Sequence, residues 1–244
     1  MNKNKALDED VTGHAVFDAF NGKYGFEFVE REDGYVLGGN TRQYFDDYKN
    51  WLSHEKKAIK YAKGKILDIG CGAGKHSLFL QFKGFDIISV DISPLLIQVC
   101  KRRGLKKARI LSIEEVESLE KTFDTFLLLG GNFGLLQNFN KAKRILKDLY
   151  KISGSRAVII TESSDPYQTK EKANLEYQKY NLKRGRMAGQ RKIRIRYRSL
   201  ISGWFDYLGV SQEEMREIIK DTGWKIKKIF DSERSSYIAI LEKQ

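Results

Sequence analysis

Residues 66 to 74, Ile-Leu-Asp-Ile-Gly-Cys-Gly-Ala-Gly, constrain this chain more than any other stretch, because an apolar run ends in three glycines spaced two apart. The run reads as a buried strand, and the residues from Lys75 onward read as a helix. Glycine admits positive φ and leaves the backbone bare, so the turn can bring a ligand close to the free N–H groups and positive dipole end of that helix. One class of ligand is excluded by the spacing. A dinucleotide fingerprint needs a third glycine where the helix opens, and Lys75 stands there.

Further stations follow in order. The run Phe85-Asp86-Ile87-Ile88-Ser89-Val90 reads as a second buried strand that ends at Asp91, whose two oxygens can accept from both hydroxyls of a ribose. Ala108 to Leu111 reads as a short third strand followed by Ser112 and Ile113. Phe123 to Leu129 reads as a fourth, running into Gly130-Gly131-Asn132-Phe133-Gly134. Taken alone, Asp68 and Asp91 could equally be strand-end caps, and Cys71 a small loop filler.

Taken together, Asp68-x-Gly70-x-Gly72-x-Gly74 and the stations after it resemble the class I S-adenosylmethionine-dependent methyltransferases. The resemblance covers about residues 64–164 and 211–243. It implies S-adenosylmethionine as cofactor, held by Asp68, Gly70, Cys71, Gly72, Gly74, Asp91, Ile92, Ser112, Ile113 and Gly130. Ser112 departs from the family pattern, which has an acid on the adenine amino group there. The loop after the fourth strand is then where methyl donor meets acceptor, with Asn132 placed to touch the acceptor. No proline follows Asn132, which sets the chain apart from relatives that methylate planar amino groups through an Asn-Pro-Pro-Tyr type loop. No residue announces itself as a catalytic base.

Strands and helices alternate from Gly64 onward, the pattern of a parallel sheet covered on both faces. A helix from Pro94 to Arg103 opens at Ser93, another runs from Lys141 to Lys151, and a fifth strand spans Arg156 to Thr161. Two closing strands, Lys225 to Phe230 and Tyr237 to Leu241, fit the antiparallel last strand of the family. The expected fold is therefore α/β: a doubly wound, seven-stranded, mostly parallel Rossmann-like sheet with an N-terminal lid and an insert after strand five. In the lid, residues 1–63, Phe26 to Glu30 and Tyr35 to Leu37 read as a hairpin, and Asn40 to Ala62 as a helix with an aromatic stripe; the resemblance implies that Tyr44 and Phe45 of this stripe cover the cofactor or acceptor, and packing against the domain is the alternative. Residues 64–244 form the cofactor-binding domain, with the insert at about 165–205.

Net charge settles where a partner would be sought. Two-thirds of the excess of +12 lies between Asp165 and Arg198, which hold eleven basic residues against three acidic ones. From Gln190 to Arg198 basic and apolar residues alternate, so a strand would put Lys192, Arg194, Arg196 and Arg198 on one face and Ile193, Ile195 and Tyr197 on the other. Arg194 and Arg196 are thus candidates to hold an anionic acceptor or an RNA backbone; a charged edge strand that resists pairing is the alternative. Two cysteines in different elements make neither a disulfide framework nor a metal site. The first ten residues lack a signal-peptide core, and no run reaches the length of a membrane span, which suits a cytoplasmic chain. The expectation is methyl transfer to a small or medium-sized acceptor, with an RNA acceptor or a non-catalytic binding subunit as alternatives.

Overall fold

Two sheets form, because the chain holds two kinds of strand: apolar runs that need cover on both faces, and alternating runs that need it on one. The computed structural model describes residues 10–119 and 122–244. The first nine residues of the expected lid lie outside the described residues. In chain order come helix α1 (Val11–Phe20), hairpin strands β1 (Phe26–Arg31) and β2 (Val36–Asn40), and the short helix α2 (Ser53–Ala58). The alternating region follows with β3 (Lys65–Ile69), α3 (Lys75–Phe82), β4 (Asp86–Asp91), α4 (Pro94–Arg102), β5 (Ala108–Ile110), β6 (Phe123–Leu128), α5 (Phe139–Lys151) and β7 (Ser153–Ser164). Next are α6 (Lys172–Lys183), β8 (Gln190–Tyr197), β9 (Leu200–Ile201) and β10 (Phe205–Leu208). Helix α7 (Gln212–Ile219) and strands β11 (Trp224–Asp231) and β12 (Ser236–Lys243) close the chain.

The main sheet has seven strands in the order β11-β12-β7-β6-β3-β4-β5. Strands β5, β4, β3, β6 and β7 are parallel, and β12 inserts antiparallel between β7 and β11. The parallel strands are those expected from the alternation, and the antiparallel β12 is the one the resemblance implies. Alternate side chains of β6 and the residue after it divide the core: Phe126 and Leu128 pack with Ile145, Leu149 and Ile218 of α5 and α7 on one face, while Leu127 and Leu129 pack with Ala58, Ile59 and Leu80 on the other. Local signals set the helix starts. Ser93 Oγ accepts from the Leu96 N–H with Pro94 in the first turn, and Ser211 and Glu214 close a reciprocal capping box on α7. Among the described residues no helix is long and apolar enough to cross a membrane.

The second sheet joins what the sequence separates. Its order is β10-β8-β1-β2, all antiparallel, with the short β9 on β8. The front hairpin and the basic insert are therefore one layer, with Phe28 opposite Arg196 and Glu30 opposite Arg194. Helix α1 fastens this layer to the main domain. Asp10 caps α1 through the Gly13 N–H and also accepts from Ser93 Oγ at 2.7 Å and the Leu95 N–H at 3.1 Å.

One expectation is corrected. Residues 40–62 do not form a single helix but 3-10 turns at Thr41–Phe45, Tyr48–Asn50 and Ile59–Tyr61 around the short α2. Asp46, Asp47, Trp51 and Leu52 are extended between them. The aromatic spacing serves tertiary packing instead. Tyr48 stacks on Phe79 at 4.5 Å, and Trp51 meets His76 edge-on while its Nε1 donates to the Asp46 carbonyl.

Candidate cofactor and acceptor sites

The loop leaving β3 is locked to the end of β4. The N–H groups of Gly70 and Cys71 both donate to the Val90 carbonyl, at 2.9 and 3.1 Å. Gly72 donates to Asp91 Oδ2 and Ser93 to Asp91 Oδ1, each at 3.0 Å. Gly72 has φ +56°, and a Cβ there would lie 2.9 Å from the Tyr44 ring. No larger residue fits. Burial pushes the Asp91 carboxyl up to about 6, against the two amide donors and with the help of nearby Asp10 and Asp68. Two accepted N–H bonds leave lone pairs for hydroxyl donors, and such donors would favour the charged form that burial opposes. Beside it Ile92 is 72% exposed and Ile110 57%, an apolar ledge at the ends of β4 and β5. A glycine loop, a carboxylate short of donors and an apolar ledge fit a nucleoside.

Other expected cofactor residues take supporting places. Asp68 lies beneath the loop, 2% exposed, accepting from Ser77 of α3, whose hydroxyl also meets Ser89 of β4. Burial raises its pKa, opposed by His76 and Ser77. Cys71 is buried with its Sγ 3.9 Å from that of Cys100, and the Cys100 thiol donates to the Gly72 carbonyl at 3.1 Å. Ser112 Oγ accepts from the Glu114 N–H while Glu115 accepts from the Ser112 N–H, so this serine caps the turn that begins at the buried Ile113. Gly130, with φ +73°, faces open space and donates its N–H to Glu162 at 2.8 Å. The Glu162 carboxylate lies 3.5 Å from the buried His54 Nε2.

On the acceptor side, Tyr44 stands over Gly72, and burial together with the neighbouring Glu27 carboxyl pushes its phenol well above the usual range. Asn132 donates twice, to the Ile69 and Gly70 carbonyls at 3.0 and 2.8 Å, tying the loop after β6 to the glycine loop. The faces of β8 alternate as expected. Arg194 holds both oxygens of Glu30 at 2.9 Å, and Arg196 lies 3.3 Å from the same carboxylate. The opposite face, with Arg191, Ile193 and Ile195, lines a cavity of about 390 Å³ between the second sheet and α6. Tyr207 of β10 closes one end, donating to the Gly131 carbonyl at 2.6 Å. Sequence reading missed Arg191, Tyr207, Glu162 and His54. Only Arg191 carried a signal, since parity along β8 puts a charge among the isoleucines.

Comparison with known proteins agrees with this geometry. A methyltransferase-domain family model matches residues 66–153. The fold overlays the SAM-dependent methyltransferase of Bacteroides fragilis, solved with S-adenosyl-L-homocysteine, at a TM-score of 0.83 and 25% identity, covering 97% of this chain and 96% of that one. Residues 66–153 are thus a methyltransferase domain, on the fold of the class I S-adenosylmethionine-dependent methyltransferases. The chain is 34% identical over 125 residues to the ribosomal RNA small subunit methyltransferase J of Bdellovibrio bacteriovorus, covering 45% of this chain and 48% of that protein. It is 26% identical over 132 residues to the glycine/sarcosine N-methyltransferase of Halorhodospira halochloris, covering 48% and 49%. The chain spans about half the length of these curated relatives, and their acceptors differ.

Proposed function

We propose that the chain binds S-adenosylmethionine against the glycine loop and Asp91 and transfers its methyl group to a small molecule held in the cavity beneath the second sheet. The observation that carries this reading is the Tyr207–Gly131 bond, which sets the cavity against the loop leaving β6, beside the nucleoside-shaped crevice. When bound, the cofactor supplies an electrophilic methyl group, and an acceptor lone pair takes that carbon while the carbon–sulfur pair returns to sulfur. The chain's own part is placement. Tyr44 covers Gly72 and excludes water, Asn132 fixes the two loops relative to each other, and Asp91 orients the ribose. Holding two reactants in register is worth about 7 to 11 kcal/mol of barrier. Glu162, held by the Gly130 N–H, is a carboxylate at hand for an acceptor proton.

A small acceptor is favoured over RNA because the arginines of the ribbon are engaged. Arg194 and Arg196 share Glu30, and Arg198 lies 3.2 Å from Asp18. The test is to incubate the purified chain with S-adenosylmethionine and fractionated metabolites or RNA, measuring S-adenosylhomocysteine by mass spectrometry. Product formation with the small-molecule fraction is expected; product with RNA alone would overturn the acceptor assignment.

A further inference from the structure

The acceptor cavity contains a cation that no group of the described residues neutralises. Two guanidinium groups border it. Arg31 is fully engaged: Nε and Nη2 donate to the two oxygens of Asp33, each at 2.8 Å, and Nη1 donates to Asn174 Oδ1 at 2.7 Å. Arg191 has no carboxylate partner among the described residues, and its buried Nε makes no hydrogen bond. Its guanidinium lies 5.5 Å from the centroid of the Tyr207 ring, and its Nη2 would stand 3.1 Å from a Cβ at Gly209. A buried, unpaired charge is costly and persists where a ligand completes it. Burial also holds this guanidinium below its usual pKa range.

The surroundings narrow the chemistry of that ligand. Val29, Leu37, Ile193, Ile195 and Phe205 give the cavity an apolar lining, which suits a hydrocarbon or aryl body. One unneutralised cation matches one negative charge. At the rim Glu171 accepts from the Tyr35 hydroxyl and from Asn174, and Glu32 is paired with Arg186, so a second negative charge would meet carboxylates. A planar guanidinium takes a carboxylate in a fork. A single tyrosine ring separates Arg191 from Gly131, so an acid anchored at the guanidinium need be only about that long to reach the loop.

We infer that the methyl acceptor is a small monocarboxylic acid with an apolar body, its carboxylate bound by Arg191 and a separate hydroxyl, amine or thiol presented to the Gly131 loop. This rests on the methyltransferase reading and adds no step to the transfer, because the carboxylate is the handle and another atom receives the methyl group.

The probes are 3-phenylpropanoate and 3-phenylpropanamide, which share a body and differ in charge. Binding of each is titrated by calorimetry to the wild-type chain saturated with S-adenosylhomocysteine, and to Arg191→Gln and Arg191→Lys. The acid is expected to bind wild type at least tenfold more tightly than the amide. Arg191→Gln should lose that preference, and Arg191→Lys, which keeps the charge without the fork and covers the case of a misfolded Gln variant, should keep a weaker one. No preference in wild type, no binding of the acid at millimolar concentration, or undiminished affinity for the acid in either variant overturns the inference. S-adenosylhomocysteine is titrated separately. Its failure to bind wild type while the acid preference stands would remove the methyltransferase reading and leave the anion site.

Discussion

The Tyr207 hydroxyl donates to the Gly131 carbonyl across 2.6 Å, and the Tyr207 ring fills the space that any side chain at Gly134 would need, with a Cβ there only 2.3 Å from the ring. Tyr207 thus joins the second sheet to the main sheet beside the loop where transfer is proposed.

Tyr207→Phe keeps the ring and removes the bond. A hydrogen bond of this kind is worth about 0.5 to 1.5 kcal/mol, so kcat/KM for the acceptor should fall by up to about tenfold. Affinity for S-adenosylhomocysteine should stay the same, because none of the loop 70–74 contacts is touched. Steady-state kinetics beside calorimetry separates the two effects; equal losses in both would mean that the residue only maintains the fold.

Asp91→Ala should weaken S-adenosylhomocysteine binding by roughly 1 to 3 kcal/mol, through the loss of a charged acceptor for hydroxyl donors. Gly72→Val should be more damaging, because its side chain would enter the space held by Tyr44 and its φ of +56° strains a β-branched residue. Calorimetry with both variants checks this. Wild-type affinity in either would place the cofactor elsewhere.

The pH dependence of that affinity follows from the raised Asp91 pKa of about 6. Because the folded value lies above the ordinary 3.8, the group favours the free fold when protonated and costs stability as pH rises through about 6. Hydroxyl donors prefer the charged form, so S-adenosylhomocysteine should bind more weakly below about pH 6 and release protons on binding near that pH. Titrations in buffers of different ionisation enthalpy measure the release. Asp91→Asn, which removes the titrating carboxyl, should abolish the effect.

Glu55 has the opposite sign. It is buried, but donors from His76 at 3.1 Å and Lys75 at 2.8 Å overcome the cost of burial and bring its carboxyl down to about 2 from an ordinary 4.5. Its contribution to stability is complete above pH 4.5 and is lost as pH falls towards 2. Glu55→Gln should therefore flatten the stability curve between those values, measured by urea unfolding at successive pH. An unchanged slope would show that the pairing carries no net energy.

The parts of the molecule legible in the sequence are those set by near neighbours. The glycines at 70, 72 and 74 and the cap at Ser93 each act within one turn, and all formed where the residues indicated. The parity of β8 was equally local and correctly separated Arg194 from Ile193. What local pattern could not supply was the partner of each face. Glu30 meets Arg194 across 164 residues of chain, and nothing near either residue specifies the other. The break in residues 40–62 had the same origin, since Tyr48 and Trp51 hold the period of a helix yet owe their positions to Phe79 and His76 of a distant element.

The pairing of β1 with β8 also sets an order of events during synthesis. Residues of the front hairpin emerge first but acquire their neighbouring strand only after most of the chain has been made, and closing so long a loop is slow compared with forming adjacent βα units. The glycine-loop half can assemble while β1 still waits with an open edge. The cavity is consequently closed only once β10 has joined β8, well after the glycine loop and Asp91 have been made.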